Sequence, residues 1–104
     1  MEILVRIKTG FFEMKSYRLK AEEGSLSLIP LQEGGEGIIV LSEGDILSVT
    51  LTEGRLPGLE IQTRNELYSG TLEESCSLVE VINYLKEPLN INITCEYKGG
   101  EKHA

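Results

Sequence analysis

Basic side chains are concentrated at the start of this 104-residue chain, where they could bind an anion. Residues 1–20 hold five of them against two acidic residues. Grouped cations attract anionic headgroups or acidic peptides. The sequence leaves two interpretations open: a ligand-binding face on the first hairpin, or a solvated outer face of a sheet. The candidate binding residues are Arg6, Lys8, Lys15, Arg18 and Lys20.

The histidine and the cysteines lack the spacing that catalysis or metal binding requires. His103 is the only histidine and lies one residue from the C-terminus, whereas a general base must be held rigidly against its substrate. Together with Cys76 and Cys95 it does not form the ligand set of a zinc finger. Cys95 falls on the apolar face of a predicted strand, which favours a small core residue. Whether it pairs with Cys76 stays open.

The carboxylates and glycines also lack a catalytic arrangement. The chain has 17 acidic residues, and their local clusters lie on predicted turns, without a facing carboxylate pair or a calcium loop. The segment 34–37 (GGEG) has neither the lysine nor the helix of a phosphate loop. We therefore predict that the protein is not an enzyme and has no catalytic residues, no metal and no cofactor. An enzyme remains the alternative, because a site drawn from separate loops leaves no sequence motif.

Composition and charge narrow the classes of partner. The net charge of −7 argues against nucleic acid, whose phosphates need a surplus of Lys and Arg, and against tight docking on anionic lipid. The charge is uneven, because residues 1–20 sum to +3 and the other 84 residues to −10. No stretch approaches the roughly 18 apolar residues that span a bilayer, and no signal peptide is recognised. We expect a cytoplasmic protein with both thiols reduced.

The elements that must position these residues are predicted to be short strands separated by turns. Glycine reaches positive φ without a steric clash, so the Glu-Gly pairs in the first half of the chain predict sharp turns. Short runs of Ile, Leu, Val and Thr lie between them. Such spacing is typical of an antiparallel sandwich or small barrel. The pairs begin at Glu23, Glu33, Glu36, Glu43 and Glu53.

Two predicted strands carry the basic residues. Residues 2–8 alternate between apolar and polar side chains, which indicates a half-buried strand. Residues 11–20 change phase, because Met14 and Tyr17 have opposite parity. A one-residue bulge near residues 15–16 would restore one core face. It would also bring Lys15, Arg18 and Lys20 to the side of Arg6 and Lys8.

Later segments follow the same alternation. Pro30 weakens the end of the third strand, which suits an edge strand or a bulge. In residues 46–52 the inward positions are predicted to be Leu47, Val49 and Leu51. Before a bend at residues 64–66, one face is shared by Leu59, Ile61 and Thr63.

One helix is predicted before a last strand at residues 90–97. Ser77, followed three residues later by Glu80, forms a capping box, and Pro88 stops the helix. A helix of about nine to eleven residues is marginal alone in water, so its apolar stripe must pack on the sheet. The stripe consists of Leu78, Val81, Ile82 and Leu85.

Together these elements predict a mainly β protein. We expect a bent antiparallel β-sandwich or partly open barrel of about seven strands. One amphipathic helix near the C-terminus caps it, and a final strand follows. The predicted domain covers residues 1–98, and residues 99–104 are predicted to be a flexible tail.

This plan resembles the pleckstrin-homology-like barrel, including its GRAM and bacterial branches. Residues 45–49 (DILSV) are similar to the D-I-x-S-V pattern of one family strand. Residues 59–63 (LEIQT), followed by 68–70 (YSG), resemble the hairpin before the family's helix. The resemblance covers most of residues 1–87. The chain differs in having no Trp, in a strand after the helix, and in basic residues spaced one position off the family's phosphoinositide pattern.

The resemblance and the absence of a catalytic motif predict a non-catalytic binding or scaffold module. It would act through protein–protein contact or self-association, with an exposed strand edge or the outward Leu4 accepting a partner strand. Two alternatives stay open. The basic first hairpin would bind anionic lipid headgroups or an acidic ligand weakly, with peripheral membrane contact, or the barrel would hold a small apolar molecule. Neither a nucleic-acid partner nor a transmembrane segment is expected.

Overall fold

The computed structural model describes residues 3–9, 13–31, 37–73 and 77–96. The helix α1 covers Leu78–Lys86, and a short 3-10 turn covers Glu43–Asp45. The strands are β1 (Ile3–Lys8), β2 (Met14–Glu22), β3 (Ser25–Pro30), β4 (Ile39–Ser42), β5 (Ile46–Thr52), β6 (Gly58–Thr63), β7 (Leu67–Leu72) and β8 (Ile93–Glu96).

All eight strands belong to one sheet that does not close on itself. Their order is β4-β3-β2-β1-β7-β6-β5-β8, so β4 and β8 are the two edges. Neighbouring strands are antiparallel except β5 and β8, which are parallel. The prediction of a mainly β, partly open sheet with one helix and a final strand is confirmed.

One hydrophobic core lies against the inner face of the whole sheet. Alternate residues of each strand point into it, and Val5, Leu28, Val49 and Ile61 are completely buried. The helix stripe is confirmed, since Val81 and Leu85 are buried while Leu78 and Ile82 pack partly buried against the core. Seventeen of the described residues form this cluster, and they include residues of each of the strands β1 to β7 and of the helix. The strands therefore share one core.

One polar contact caps the helix, and another joins it to the sheet. The Ser77 side chain accepts from the Glu80 backbone N–H at 3.5 Å, which confirms the predicted N-cap. The Tyr84 hydroxyl accepts from the Ala21 backbone N–H at 3.0 Å. Ala21 lies in β2, two residues after Leu19, which pairs with Ile3 of β1. The helix therefore satisfies a backbone polar group of the sheet.

Gly70 allows β7 to come close enough to β1 to pair with it. It lies opposite Ile7, where β7 pairs with β1. A Cβ on this residue would stand 1.8 Å from the Arg6 carbonyl oxygen and 3.0 Å from the Ile7 Cα. Real Cβ atoms essentially never come under 3.0 Å of another heavy atom, so only glycine fits this crossing without moving a strand.

The turn chemistry of the Glu-Gly pairs is only partly as predicted. Gly24 has φ of 86° and forms the second residue of the tight β2–β3 turn, as a type II turn requires. Among the described residues no other glycine has positive φ. Gly44 lies in the 3-10 turn and Gly54 in a bend. Among the described Glu-Gly pairs, only the turn at Gly24 therefore uses the positive φ that glycine can adopt. Gly34 lies outside the described residues.

The predicted bulge near residues 15–16 is wrong. The β1–β2 register runs without a break from Ile3–Leu19 to Lys8–Met14. Met14 is 41% exposed, because it pairs with Lys8 beside the connecting loop of the hairpin and its parity places it on the outer face of the sheet. Phe12 lies outside the described residues.

The irregularity lies instead in β5, between Ile46 and Ser48. It places Ile46 in the core and leaves Leu47 50% exposed, so the predicted inward position of Leu47 is wrong. Val49 and Leu51 are buried as predicted.

Pro30 does not mark an edge strand, because β3 pairs with both β2 and β4. Even-numbered backbone groups of β3 face β4, and that ladder ends at Leu28–Ile39. The N–H that proline lacks would therefore point past the end of the ladder, where no bond is lost.

Thr63 confirms its predicted inward position and also holds the β6–β7 bend. It is 5% exposed. Its hydroxyl donates to the Glu66 carbonyl at 2.9 Å and accepts from the Glu66 N–H at 2.9 Å and the Asn65 N–H at 3.3 Å. Arg64 adds an exposed ion pair with Asp45 at 3.5 Å. The buried hydroxyl therefore satisfies the polar groups of the bend.

Candidate interaction surface

Four of the five candidate basic residues lie on one face of the sheet, and the fifth lies on the other. Arg6 and Lys8 point away from the core, and Arg18 stands opposite Leu4 on the same side. Lys20 follows Arg18 two residues along β2 and shares its face. Lys15 stands opposite the buried Ile7, so its parity is that of the core face. Without the bulge, Lys15 does not join the others.

Acidic side chains are mixed into this basic face. Lys20 forms an ion pair with Glu22 at 3.4 Å, and both side chains are about half exposed. The Glu73 N–H donates to the Leu4 carbonyl at 2.8 Å, which places Glu73 and Arg18 on either side of Leu4. An exposed ion pair such as that of Lys20 with Glu22 contributes little energy. This outer face of the sheet therefore carries both basic and acidic side chains.

The residues that the structure describes do not form a cluster of possible metal ligands. Within them, no group of three or more His, Cys, Asp or Glu side chains converges. Cys95 is a free, half-buried thiol, while Cys76 and His103 lie outside the described ranges. A shallow cleft of about 440 Å³ is bordered by Asn83, Lys86 and Glu87, which are all exposed. Its border has no buried polar group that would orient a ligand.

The free edge of β4 offers backbone hydrogen-bonding groups to a partner. The Glu43 N–H donates to the Gly24 carbonyl at 2.9 Å, so the odd-numbered residues of this segment turn their backbone groups toward β3. In an antiparallel ladder the alternate residues turn theirs away. The N–H and C=O groups of Ile38, Val40 and Ser42 therefore point outward from the sheet.

The side chains of this edge carry no charge, and two of the exposed ones are apolar. Ile38 is 60% exposed and Val40 is 61% exposed, while Leu41 on the opposite face is buried. Residues 37–42 read GIIVLS and contain no charged residue and no proline. Edge strands are normally protected from unwanted pairing by a charge, a proline or a bulge. The described part of β4 has none of these, so we call residues 38–42 the open edge.

The other edge of the sheet is better protected. β8 ends in the exposed Glu96, and the exposed Glu53 donates its backbone N–H to the Glu96 carbonyl at 2.7 Å. Two carboxylates thus stand at one end of β8, where charge disfavours the approach of a further strand. Of the two edges, the open edge of β4 is the more suitable for strand addition.

Leu4 is not at an edge, because β1 lies in the middle of the sheet between β2 and β7. The side chain is half-buried, and the backbone groups of β1 are used by its two neighbours. Strand addition at Leu4, one of the two predicted routes, is therefore wrong. The other predicted route, an exposed strand edge, has a structural counterpart in β4.

Comparisons with known proteins do not assign the chain to a family. No protein-family model matches it, and no curated protein matches it. Among the described residues there is no helix of the length and apolarity needed to cross a membrane.

Proposed function

We propose that the protein is a non-catalytic binding module that makes protein–protein contacts by accepting a strand at the open edge. One observation carries this proposal: Ile38, Val40 and Ser42 turn their backbone groups outward along an edge without charge, and Ile38 and Val40 also expose apolar side chains. An added strand gains main-chain hydrogen bonds along such an edge, and the side chains beside it supply specificity.

The open eight-stranded sheet with one helix supports a pleckstrin-homology-like scaffold for this module. Seven consecutive antiparallel strands precede a helix that packs into the core, which is the plan that the sequence resemblance predicts. A recruiting role fits a scaffold of this kind, in whose described residues no three His, Cys, Asp or Glu side chains converge. We propose the pleckstrin-homology-like family on this order of strands and helix.

The open edge is better supported than the basic face as the binding site. The basic residues are interspersed with Glu22 and Glu73, and Lys15 lies on the opposite side of the sheet. In a chain of net charge −7, a membrane carrying anionic lipid repels the rest of the molecule. Weak headgroup binding by Arg6 and Lys8 is therefore the second candidate.

A peptide selection tests the proposal without knowledge of the natural partner. A random displayed peptide library is selected on the wild-type protein, and the recovered peptides are measured against Val40→Lys and Val79→Lys. The two valines are a matched pair, because Val79 on α1 is 64% exposed and Val40 is 61% exposed. We expect binding to weaken by at least about tenfold in Val40→Lys only, because a lysine disfavours an added strand.

Equal binding to both variants would contradict the proposal. Co-sedimentation with phosphatidylserine vesicles at low and high salt examines the second candidate. Pelleting that is lost in an Arg6→Ala, Lys8→Ala double variant and at high salt would favour headgroup binding. We expect little pelleting at either salt concentration.

A further inference from the structure

We infer that the open edge pairs with the open edge of a second copy of this chain, antiparallel about a two-fold axis that passes between the two Val40 residues. This inference rests on the proposed function of β4 and names its partner. It follows from the direction of the backbone groups, from the side chains that would meet, and from the charge of the segment.

The backbone groups select the register. Hydrogen-bonded pairs form between residues that turn their backbone groups toward each other, which on this edge are Ile38, Val40 and Ser42. If Val40 faces Val40 of the second copy, Ile38 faces Ser42 and Ser42 faces Ile38. Each pair exchanges two hydrogen bonds, so this register makes about six. A shift by two residues in either direction leaves one of the three positions of each copy unused.

The side chains that meet in this register are compatible on both faces. On the outer face the exposed Val40 packs against its symmetry mate, while Ile38 lies beside Ser42. On the inner face Ile39 lies opposite Leu41 of the second copy. A two-fold contact brings each residue of a surface onto the same surface of the partner, so any charge near the axis would meet its equal. The open edge contains no charge and meets this condition.

The alternative partner among copies is the β8 edge, and it is less suitable. Pairing of β4 with β8 is head-to-tail, and such contacts continue into chains unless a ring closes. This pairing would also bring the side-chain carboxylates of Glu53 and Glu96 beside the open edge, which contains no basic residue to pair with them. The two-fold β4 pair uses only the uncharged edge and stops at a dimer.

Size and charge set the expected strength. Two strands of about five residues form an interface below the roughly 1,200 Å² of a stable complex, so we expect a dissociation constant on the order of 10–100 µM. Each copy carries a net charge of −7, so the two copies repel one another at long range. Added salt screens this repulsion and should therefore strengthen the dimer.

Sedimentation equilibrium tests the inference with the full chain. The wild type, Val40→Lys and Val79→Lys are compared from about 5 µM to 1 mM, which spans the expected dissociation constant. We expect a monomer–dimer equilibrium in the wild type and in Val79→Lys. In Val40→Lys two ammonium groups would face each other at the axis, and dimerisation should weaken by more than about tenfold. Circular dichroism checks that both variants are folded.

A disulfide experiment tests the register. Val40→Cys and Ser42→Cys are made in a Cys76→Ser, Cys95→Ser background and oxidised. Directly opposed residues of a hydrogen-bonded pair have Cα atoms about 5.5 Å apart, within the range that a disulfide spans. Position 42 lies about 14 Å from its symmetry mate in this register. We expect a covalent dimer from Val40→Cys and none from Ser42→Cys.

Three results would overturn the inference: a monomer throughout the concentration range, a Val40→Lys dimer as strong as the wild type, or species that grow beyond a dimer. Preferential cross-linking at position 42 would overturn the register. A monomeric wild type whose selected peptides still depend on Val40 would remove the second copy as partner and leave the proposed function intact. A dimer unaffected at Val40, with peptides that bind elsewhere, would remove both.

Discussion

Replacing Gly70 by alanine should disrupt the pairing of β7 with β1 in the middle of the sheet. The added Cβ would stand 1.8 Å from the Arg6 carbonyl oxygen and 2.8 Å from the Arg6 carbonyl carbon. Both are backbone atoms, which cannot move aside as the end of a flexible side chain does. The oxygen would have to move by roughly 1.5 Å to reach an ordinary contact distance.

Such a movement is large compared with the tolerance of a hydrogen bond. β1 and β7 are held by bonds such as that from the Glu73 N–H to the Leu4 carbonyl, at 2.8 Å. Opening the strands weakens two or so of these bonds at about 1 kcal/mol each and disturbs the packing of Ile7 and Leu72. Overpacking costs about 1–3 kcal/mol. We therefore expect Gly70→Ala to lose about 3 kcal/mol of unfolding free energy, or roughly 15 °C in Tm.

Urea denaturation and thermal unfolding by circular dichroism measure the loss. Gly44→Ala is the matched control, because a Cβ there meets nothing within 4 Å and the residue has no positive φ. Its stability should change by less than about 0.5 kcal/mol. If Gly70→Ala were as stable as Gly44→Ala, the close crossing of β1 and β7 would be refuted.

Three further predictions follow from buried or hydrogen-bonded groups. Thr63→Val keeps the shape but leaves the Glu66 N–H without its acceptor, and should cost about 2 kcal/mol in urea denaturation, whereas Thr63→Ser, which keeps the hydroxyl, should cost less. Tyr84→Phe removes the acceptor of the Ala21 N–H and should cost about 1 kcal/mol; no change by the same assay would mean that the helix is not held there. Burial, followed by a hydrogen bond to the Glu66 side chain, raises the pKa of Tyr68 above its ordinary value of 10.0. Absorbance titration should show a late-ionising tyrosine that is missing in Tyr68→Phe. Because the folded state holds this proton more tightly, the stability it contributes is present below pH 10.0 and is lost as the pH rises above that value.

Local patterns in the sequence predicted most of the elements. The alternation of residues 3–8 and the helical spacing of Leu78, Val81, Ile82 and Leu85 each depend on neighbours within one element, and both are confirmed. The errors came from the ends of strands. Met14 is apolar but lies on the outer face of the sheet beside the hairpin loop, so its apolar character pointed to the wrong face.

The open edge could not be identified from the sequence alone. The segments of β3 and β5 are as free of charge as β4, yet both have neighbours on each side. An edge is defined by strand order, which depends on contacts between distant residues. The same holds for the crossing at Gly70, because the glycine was recognised but its close approach to the Arg6 carbonyl was not. The basic residues were recognised by type, whereas their faces depended on an unbroken β1–β2 register.

Amide hydrogen exchange along β4, resolved residue by residue, tests the role of the open edge most directly. The N–H groups of Ile39 and Leu41 face β3 and should exchange slowly at every protein concentration. Those of Ile38, Val40 and Ser42 should exchange fast in dilute solution and become protected as the concentration rises through the expected dissociation constant. Fast exchange at these three positions at all concentrations, or protection that persists on dilution, would contradict an edge that is open in one copy and closed by another.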